Sequence, residues 1–352
     1  MDEKKINIPD DWMIDFLQLT DEQREIINDF DCSFIVEGPA GSGKTVIATY
    51  KYLECIGVSG VSDTAILVYT KALAMFIKSG LDMAVRQGIV NSMKAKPDQI
   101  MIKHIDGARK LLERDSYEFM ILDEAQDITS NDFDNLFDAC EKVMLFGDDD
   151  QKLYSEDRVS LAEIKKRHSS KIKTHYKLTD HYRTPRKIIE YASKIINKPE
   201  MNLYSKSPDL DTKPDIRKFT CVNEEIQAVA NVIKQYNLKK VGIFVNSNPS
   251  INNVRDIMSD NGIECNYKEY ENVNLNFNNR SKPTILTYHS AKGVQFENVF
   301  VIHCGTRQVY ATPDNDFDNY QNALYVSCTR TTKRLFVFYT GQMNAFMEYI
   351  SI

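Results

Sequence analysis

Short apolar runs rich in β-branched residues alternate along this chain with longer stretches whose apolar positions recur at helical spacing. The first pattern suits strands buried on both faces, and the second suits amphipathic helices. Strands are expected at Ser33–Glu37, Ala65–Tyr69, Ile100–Lys103, Glu118–Leu122, Val143–Phe146 and Ile172–Lys177. Helices are expected among them at Gly43–Cys55, Lys71–Gln87 and Asp106–Glu113. The pattern then repeats. Asp215–Phe219, Val241–Val245, Ile263–Tyr267, Thr284–Thr287, Val299–His303 and Leu335–Tyr339 read as strands; Pro185–Asn197, Asn223–Tyr236 and Ile251–Ser259 read as helices. Such alternation predicts parallel sheets with helices on both faces, an α/β class. Two domains are expected, 1–178 and 179–352, with the boundary near Leu178. The Asn-rich run Asn272–Asn279 is expected to be a solvated loop.

Composition narrows the picture. The 352 residues suit two domains of ~150 each. At 42% hydrophobic and 27% charged, the chain is neither disordered nor a disulfide-stapled miniprotein. No apolar run approaches the roughly 20 residues of a bilayer span, so no membrane association is expected. Met1–Asn7 leads into no apolar segment of the secretory type, and a cytoplasmic location follows as the expectation. A net charge of -6 rules out a histone-like coating protein but leaves room for a local basic groove. The seven cysteines form no CxxC pair, which suits reduced thiols, and the six histidines show no zinc spacing.

Two motifs carry chemistry. Gly38-Pro39-Ala40-Gly41-Ser42-Gly43-Lys44-Thr45 matches G-x-x-x-x-G-K-[ST] between an expected strand and an expected helix. Its glycines let backbone N–H groups wrap phosphates, and the helix N-terminus adds positive potential. Gly38, Gly41, Ser42 and Gly43 would line the nucleotide; Lys44 would reach the outer phosphates, and Thr45 would hold Mg²⁺. The second motif is the apolar strand ending in Asp123-Glu124. Asp123 can bind the same Mg²⁺, and Glu124 can orient and deprotonate a water. Mg²⁺-dependent hydrolysis of a nucleoside triphosphate is the expected reaction.

Around these, Leu122-Asp123-Glu124-Ala125-Gln126-Asp127 resembles motif II of the superfamily 1 helicases of the UvrD/PcrA/Rep type. Other motifs of that family follow in order: Leu19–Arg24, Gly147–Gln151, His181-Tyr182-Arg183, Thr287–Gly293 and Tyr325–Arg330. The resemblance implies that the nucleotide is ATP, and it implies two RecA-like parallel-sheet domains with the ATP site in the cleft between them. It implies that Gln23 reads the adenine edge, that Gln151 senses the γ-phosphate, and that Tyr182 is available to stack on the base. Arg183 and Arg330 would be arginine fingers, a role suited to a planar, permanently charged fork. Gly293 and Gln295 fall in the extension of the fifth motif, near the ribose. Thr70, Lys71, His104, Asn248, Thr287, His289 and Ser290 match positions that line the family's strand-binding groove.

The chain also departs from the family. Val46 stands where the family has a stacking Arg, Gln295 stands for a ribose-contacting Glu, and no tryptophan follows Gln151-Lys152-Leu153-Tyr154. The stretches Thr70–Asp123 and Arg183–Thr287 are too short for the family's large accessory insertions. The only tryptophan, Trp12, lies outside the motifs. Looser base contact is expected. The resemblance implies an ATP-dependent single-strand translocase or DNA helicase moving 3′ to 5′, on single-stranded DNA, with RNA also open. The alternative is a nucleotide-gated ATPase subunit that regulates a partner nuclease or another protein subunit, with little unwinding of its own.

Overall fold

The computed structural model describes residues 13–88, 102–104, 116–152, 159–180, 182–198, 212–269, 272–277, 281–306, 317–348 and 350. The chain divides into two compact units. The first comprises Met1–Glu37, Lys44–Gly147 and Leu161–Tyr176; the second comprises Gly38–Gly43, Asp148–Ser160 and Lys177–Ile352.

The first unit is built on a six-stranded sheet of order β3-β2-β4-β5-β1-β6. Its strands are β1 (Ser33–Glu37), β2 (Thr64–Val68), β3 (Ile102–His104), β4 (Tyr117–Asp123), β5 (Cys140–Gly147) and β6 (Ile172–Lys177). β2, β4, β5 and β1 are paired in parallel, and so are β2 and β3. Strands such as Thr-Ala-Ile-Leu-Val in β2 are buried along their whole length, which is why they read as continuous apolar runs. Helices α1 (Asp21–Asn28), α2 (Lys44–Ser59), α3 (Lys71–Arg86), α4 (Ser130–Ala139) and α5 (Leu161–Arg167) accompany this sheet.

Local chemistry sets the helix starts. Thr20 caps α1 by accepting from Gln23 N, while Gln23 Oε1 accepts from Thr20 N at 3.0 Å, a reciprocal capping box. Thr70 and Thr129 cap α3 and α4 by accepting from Leu73 N and Asp132 N. The far end of α1 is held by Lys51 of α2, a lysine with no exposed surface. Its ammonium donates to Ile27 O at 2.9 Å and to Asp29 O, and sits 3.4 Å above the Phe30 ring. It thereby satisfies carbonyls at the negative end of that helix. Burial lowers its pKa to about 8.

The second unit carries a seven-stranded sheet of order β10-β9-β11-β8-β12-β13-β7. The strands are β7 (Asp215–Phe219), β8 (Val241–Val245), β9 (Asn266–Glu269), β10 (Asn272–Asn274), β11 (Thr284–Thr287), β12 (Phe296–Val301) and β13 (Thr331–Thr340). All pairs are parallel except β10 with β9. Its helices are α6 (Arg186–Ile195), α7 (Val222–Gln235), α8 (Asn248–Asp260), α9 (Phe317–Cys328) and α10 (Ala345–Glu348). One core cluster joins Ile226, Val229 and Ile233 of α7 with Ile251, Val254 and Met258 of α8 and with Ile243, Ile285, Phe300 and Phe338 of the sheet. Phe300 stacks on Phe336 with centroids 4.4 Å apart. At the carboxyl end of β12, His303 takes the left-handed conformation (φ 65°) and its N–H donates to the buried Glu225. Glu225 also accepts from Thr340 Oγ1 at 2.7 Å. Burial drops the pKa of His303 to about 4.

Two parallel-sheet α/β units of RecA-like kind are therefore present, as the alternation implies. One local expectation is corrected. Asn272–Asn274 is not loop but strand, paired antiparallel with β9 through Asn272↔Glu269 and Asn274↔Tyr267. A polar edge strand is built by backbone pairing, so side-chain periodicity does not reveal it. The expected helix Asp106–Glu113 lies outside the described residues, as do Trp12, Tyr154, His181 and the side chain of His104. Among the described residues no helix is long and apolar enough to cross a membrane.

Candidate nucleotide site and strand-facing loops

The glycine-rich loop Gly38–Gly43 begins where β1 ends at Glu37 and closes where α2 begins at Lys44. Gly41 and Gly43 have φ of 85° and 91°, a conformation that turns successive N–H groups to one side and that glycine adopts without steric cost. Ser42 N closes the turn on Pro39 O at 3.2 Å.

In the first unit, the parallel register sets Asp123 beside Phe146, and Glu37 beside Gly147, at the carboxyl edge of the sheet. Thr45, in the first turn of α2, donates its hydroxyl to Asp123 Oδ2 at 2.7 Å. Asp123 Oδ1 accepts from Glu124 N at 3.0 Å. Burial, and next the charge of Glu124, push the Asp123 carboxyl well above the usual carboxylate range; Thr45 and Lys44 pull it back. The buried Asp123 carboxylate, with the Thr45 hydroxyl oxygen already in contact, offers the hard oxygen donors that suit Mg²⁺. The residues present therefore fit the metal that the motifs imply.

Glu124 stands in the left-handed region, φ 60° and ψ 44°. For a non-glycine residue this costs on the order of 1 kcal/mol or more and persists only where neighbours enforce it. Gln126 is one of them: its Nε2 donates to Glu124 Oε2 at 2.7 Å, and both side chains are buried. Gln126 in turn needs Gly147, because a Cβ there would stand 2.8 Å from Gln126 Oε1 and 3.2 Å from the methyl carbons of Leu161. Gln126 was not among the expected site residues; its place two residues after the acid pair was the available signal.

In the second unit, Gln151 is a hub. Its Nε2 donates to Asp148 Oδ2 at 2.7 Å, its Oε1 accepts from Arg330 at 2.6 Å, and its backbone carbonyl accepts from the Lys292 ammonium. Gln151, Lys292 and Arg330 are all buried. Lys292 was not among the expected site residues. Arg183 donates to Thr329 O at 3.0 Å and, more weakly, to Gln295 Oε1 at 3.4 Å. Its side chain also lies against the glycine-rich loop: a Cβ on Gly41 would meet Arg183 Cβ at 3.2 Å. Tyr182 N donates to Gly41 O at 3.0 Å, while the Tyr182 hydroxyl donates to Asp180 at 3.1 Å. Gly293 has φ of 80°.

The expected strand-facing residues divide between the units. In the first, Thr70 serves as the cap of α3, accepting from Leu73 N at 3.0 Å, and Lys71 follows it, exposed. The backbone of His104 ends β3 opposite Val68. In the second, Thr287 ends β11 opposite Val245 of β8, and Asn248 opens α8 three residues past that point. Thr287 Oγ1 donates to Ser290 Oγ at 3.0 Å and accepts from Ser290 N at 3.2 Å, so Thr287 and Ser290 form one hydroxyl pair, with His289 between them in the same turn.

The family model for Schlafen group 3, DNA/RNA helicase domain, matches residues 31–303. The UvrD-like helicase C-terminal domain matches residues 267–342. No curated protein matches the chain. Among solved structures, the C-terminal domain of a possible DNA helicase from Lactobacillus plantarum is similar at 14% identity and a TM-score of 0.37, over 48% of this chain and 94% of that one. The first family model spans well over half of the sequence, and the second falls on the strands and turns that carry Thr287, Lys292 and Arg330. This chain belongs to the Schlafen group 3 DNA/RNA helicase domain family, with the superfamily 1, UvrD-related fold that its motifs imply.

Proposed function

We propose that the chain is an ATP-dependent single-strand nucleic-acid translocase or DNA helicase, moving 3′ to 5′ and driven by Mg-ATP hydrolysis. The observation that carries this reading is the buried pair Asp123–Glu124, with Asp123 on the Thr45 hydroxyl and Glu124 locked left-handed by Gln126. Thr45 and Asp123 would hold Mg²⁺, which supplies neutralising charge to the phosphates. Lys44 and the loop N–H groups bind the phosphates, with Gly38, Gly41, Ser42 and Gly43 lining them. Gln23 and Tyr182 face the base, and Gly293 and Gln295 lie toward the ribose. Glu124 orients the attacking water and takes its proton. Gln151, Arg183 and Arg330 meet charge that develops on the transferring phosphate, which is where arginine contributes most. Residues 1–178 would form the P-loop ATPase domain and 179–352 the domain that carries the arginines. Thr70, Lys71, His104, Asn248, Thr287, His289 and Ser290 would contact the strand through phosphate and sugar.

The test is ATP hydrolysis by the purified chain with and without single-stranded DNA. Strong stimulation supports the motor. The absent stacking tryptophan after Gln151 favours a second reading, a nucleotide-gated subunit of a partner nuclease or other assembly. Under that reading stimulation appears only when the partner is added.

A further inference from the structure

We propose that Lys268, which belongs to no helicase motif, is a phosphate anchor for the bound strand, acting together with the Ser290 hydroxyl. The inference rests on the strand-binding reading above and extends it to one residue. β9 pairs in parallel with β11, Asn266 against Thr284 and Tyr267 against Ile285. That register sets Lys268 level with Leu286, one residue short of the Thr287 end where the hydroxyl turn begins. From there the Lys268 ammonium donates to Ser290 Oγ at 3.3 Å.

The hydroxyl geometry decides what this contact can do. A serine hydroxyl has one proton to give and two lone pairs to accept with. Ser290 Oγ accepts from Thr287 Oγ1 at 3.0 Å and from Lys268 Nζ. Thr287 Oγ1 is itself the acceptor for Ser290 N. Both acceptor sites of Ser290 are thereby filled, so its own proton is directed away from the Thr287–Lys268 pair. An outward O–H donor with an ammonium beside it is a two-pronged site for an anionic oxygen. Ser290 and Lys268 are both partly exposed. The ligand chemistry that fits, at the carboxyl end of strands in a helicase-family chain, is a phosphodiester of single-stranded nucleic acid. Such a contact gives affinity and position without reading sequence.

The experiment measures the affinity of a labelled oligothymidylate over a range of salt concentrations for the full chain, Lys268→Gln and Lys268→Arg. One lost phosphate contact on a single strand should reduce the slope of log affinity against log salt by ~0.7, so a tenfold rise in salt closes about a fivefold gap between wild type and Lys268→Gln. Lys268→Arg keeps the charge and should keep the wild-type slope. A lysine that merely props up the β9–β11 edge would weaken binding equally at every salt concentration, and that outcome overturns the proposal. So does a Lys268→Gln protein indistinguishable from wild type. If wild type itself binds no oligothymidylate at any salt concentration, the strand-binding reading falls, and this inference falls with it.

Discussion

The Arg330 guanidinium donates to Gln151 Oε1 over 2.6 Å, and the amide nitrogen of that same glutamine donates to Asp148. One side chain thus joins the end of the loop after β5 to the last residue before β13. Gln151 cannot turn toward a phosphate without changing what Arg330 sees. Arg330→Ala should lower ATP turnover by about 10³ or more, with little change in the affinity for a non-hydrolysable analogue. Arg330→Lys should not restore it, since a single ammonium lacks the fork. A double-mutant cycle with Gln151→Ala should give a coupling of roughly 1–3 kcal/mol in transition-state stabilisation. Strict additivity would show that the two act separately.

Glu124 offers a separation of stability from chemistry. Glu124→Gln should bind Mg-ATP and fail to turn it over, because it lacks the base but keeps the amide contact available to Gln126. Glu124→Gly should be equally inactive and yet more heat-stable than Glu124→Gln by about 1 kcal/mol, since glycine accepts φ of 60° without strain. Thermal midpoints of the two variants decide it. A glycine variant less stable than the glutamine variant would mean that the Gln126 contact outweighs the backbone cost.

Gln23 has two possible duties, which one substitution tells apart. Its Oε1 closes the capping box with Thr20 N. Glu at that position keeps the acceptor and serves a capping box equally well, but removes the amide donor. Gln23→Glu should therefore keep the melting temperature within a few degrees while raising KM for ATP and reducing the preference for ATP over GTP. Steady-state hydrolysis of both nucleotides is the measurement. An unchanged preference would confine Gln23 to capping.

His303 gives a pH signature. Its folded pKa of about 4 lies below the ordinary histidine value of 6.5 because the ring is buried. The unfolded chain then binds more protons between those values, so stability rises with pH across the window. The contribution is complete above pH ~6.5 and is lost as pH falls toward ~4, with a ceiling on the order of 3 kcal/mol. Asparagine accepts the left-handed backbone and does not titrate. Urea midpoints of wild type and His303→Asn should diverge as pH falls from 7 to 5, with wild type losing more. Parallel loss in both would place the acid sensitivity elsewhere, Glu225 being the nearest candidate.

Burial on both faces writes a continuous apolar run, and β8 and β11, buried along their length, coincide with their expected limits; β6 and β7 coincide as well, although both are partly exposed. β12 begins earlier than expected, at Phe296, because Glu297 and Asn298 interrupt the run and are held by other means: Asn298 Nδ2 donates to Lys239 O, and Lys240 pairs with Glu297. Helix α1 was missed as a helix although Thr20 and Gln23 stand at capping-box spacing, since only Ile26 and Ile27 mark its apolar face. The identities of Lys44, Thr45, Asp123, Glu124 and Arg330 could be read from motifs. The hub at Gln151, the packing of Gly147 against Gln126, and the reach of Lys268 could not. They depend on which strand ends become neighbours, and linear spacing does not encode that.

The Gly38–Thr45 loop follows the carboxyl end of strand β1, yet the neighbours of β1 are β5, with Phe34 matched to Met144 and Glu37 to Gly147, and β6. On a ribosome, the complete Gly38–Thr45 segment emerges long before the strands that must lie beside it. Until β5 is synthesised, the loop has no fixed entry strand and the Thr45–Asp123 contact has no frame. Such distant parallel pairing delays the reward for closing the chain and slows folding. Nascent chains halted before Gly147 should therefore be unable to retain nucleotide even though they contain every residue of the loop, and they will expose Phe34, Ile35 and Val36 to whatever chaperone meets them first.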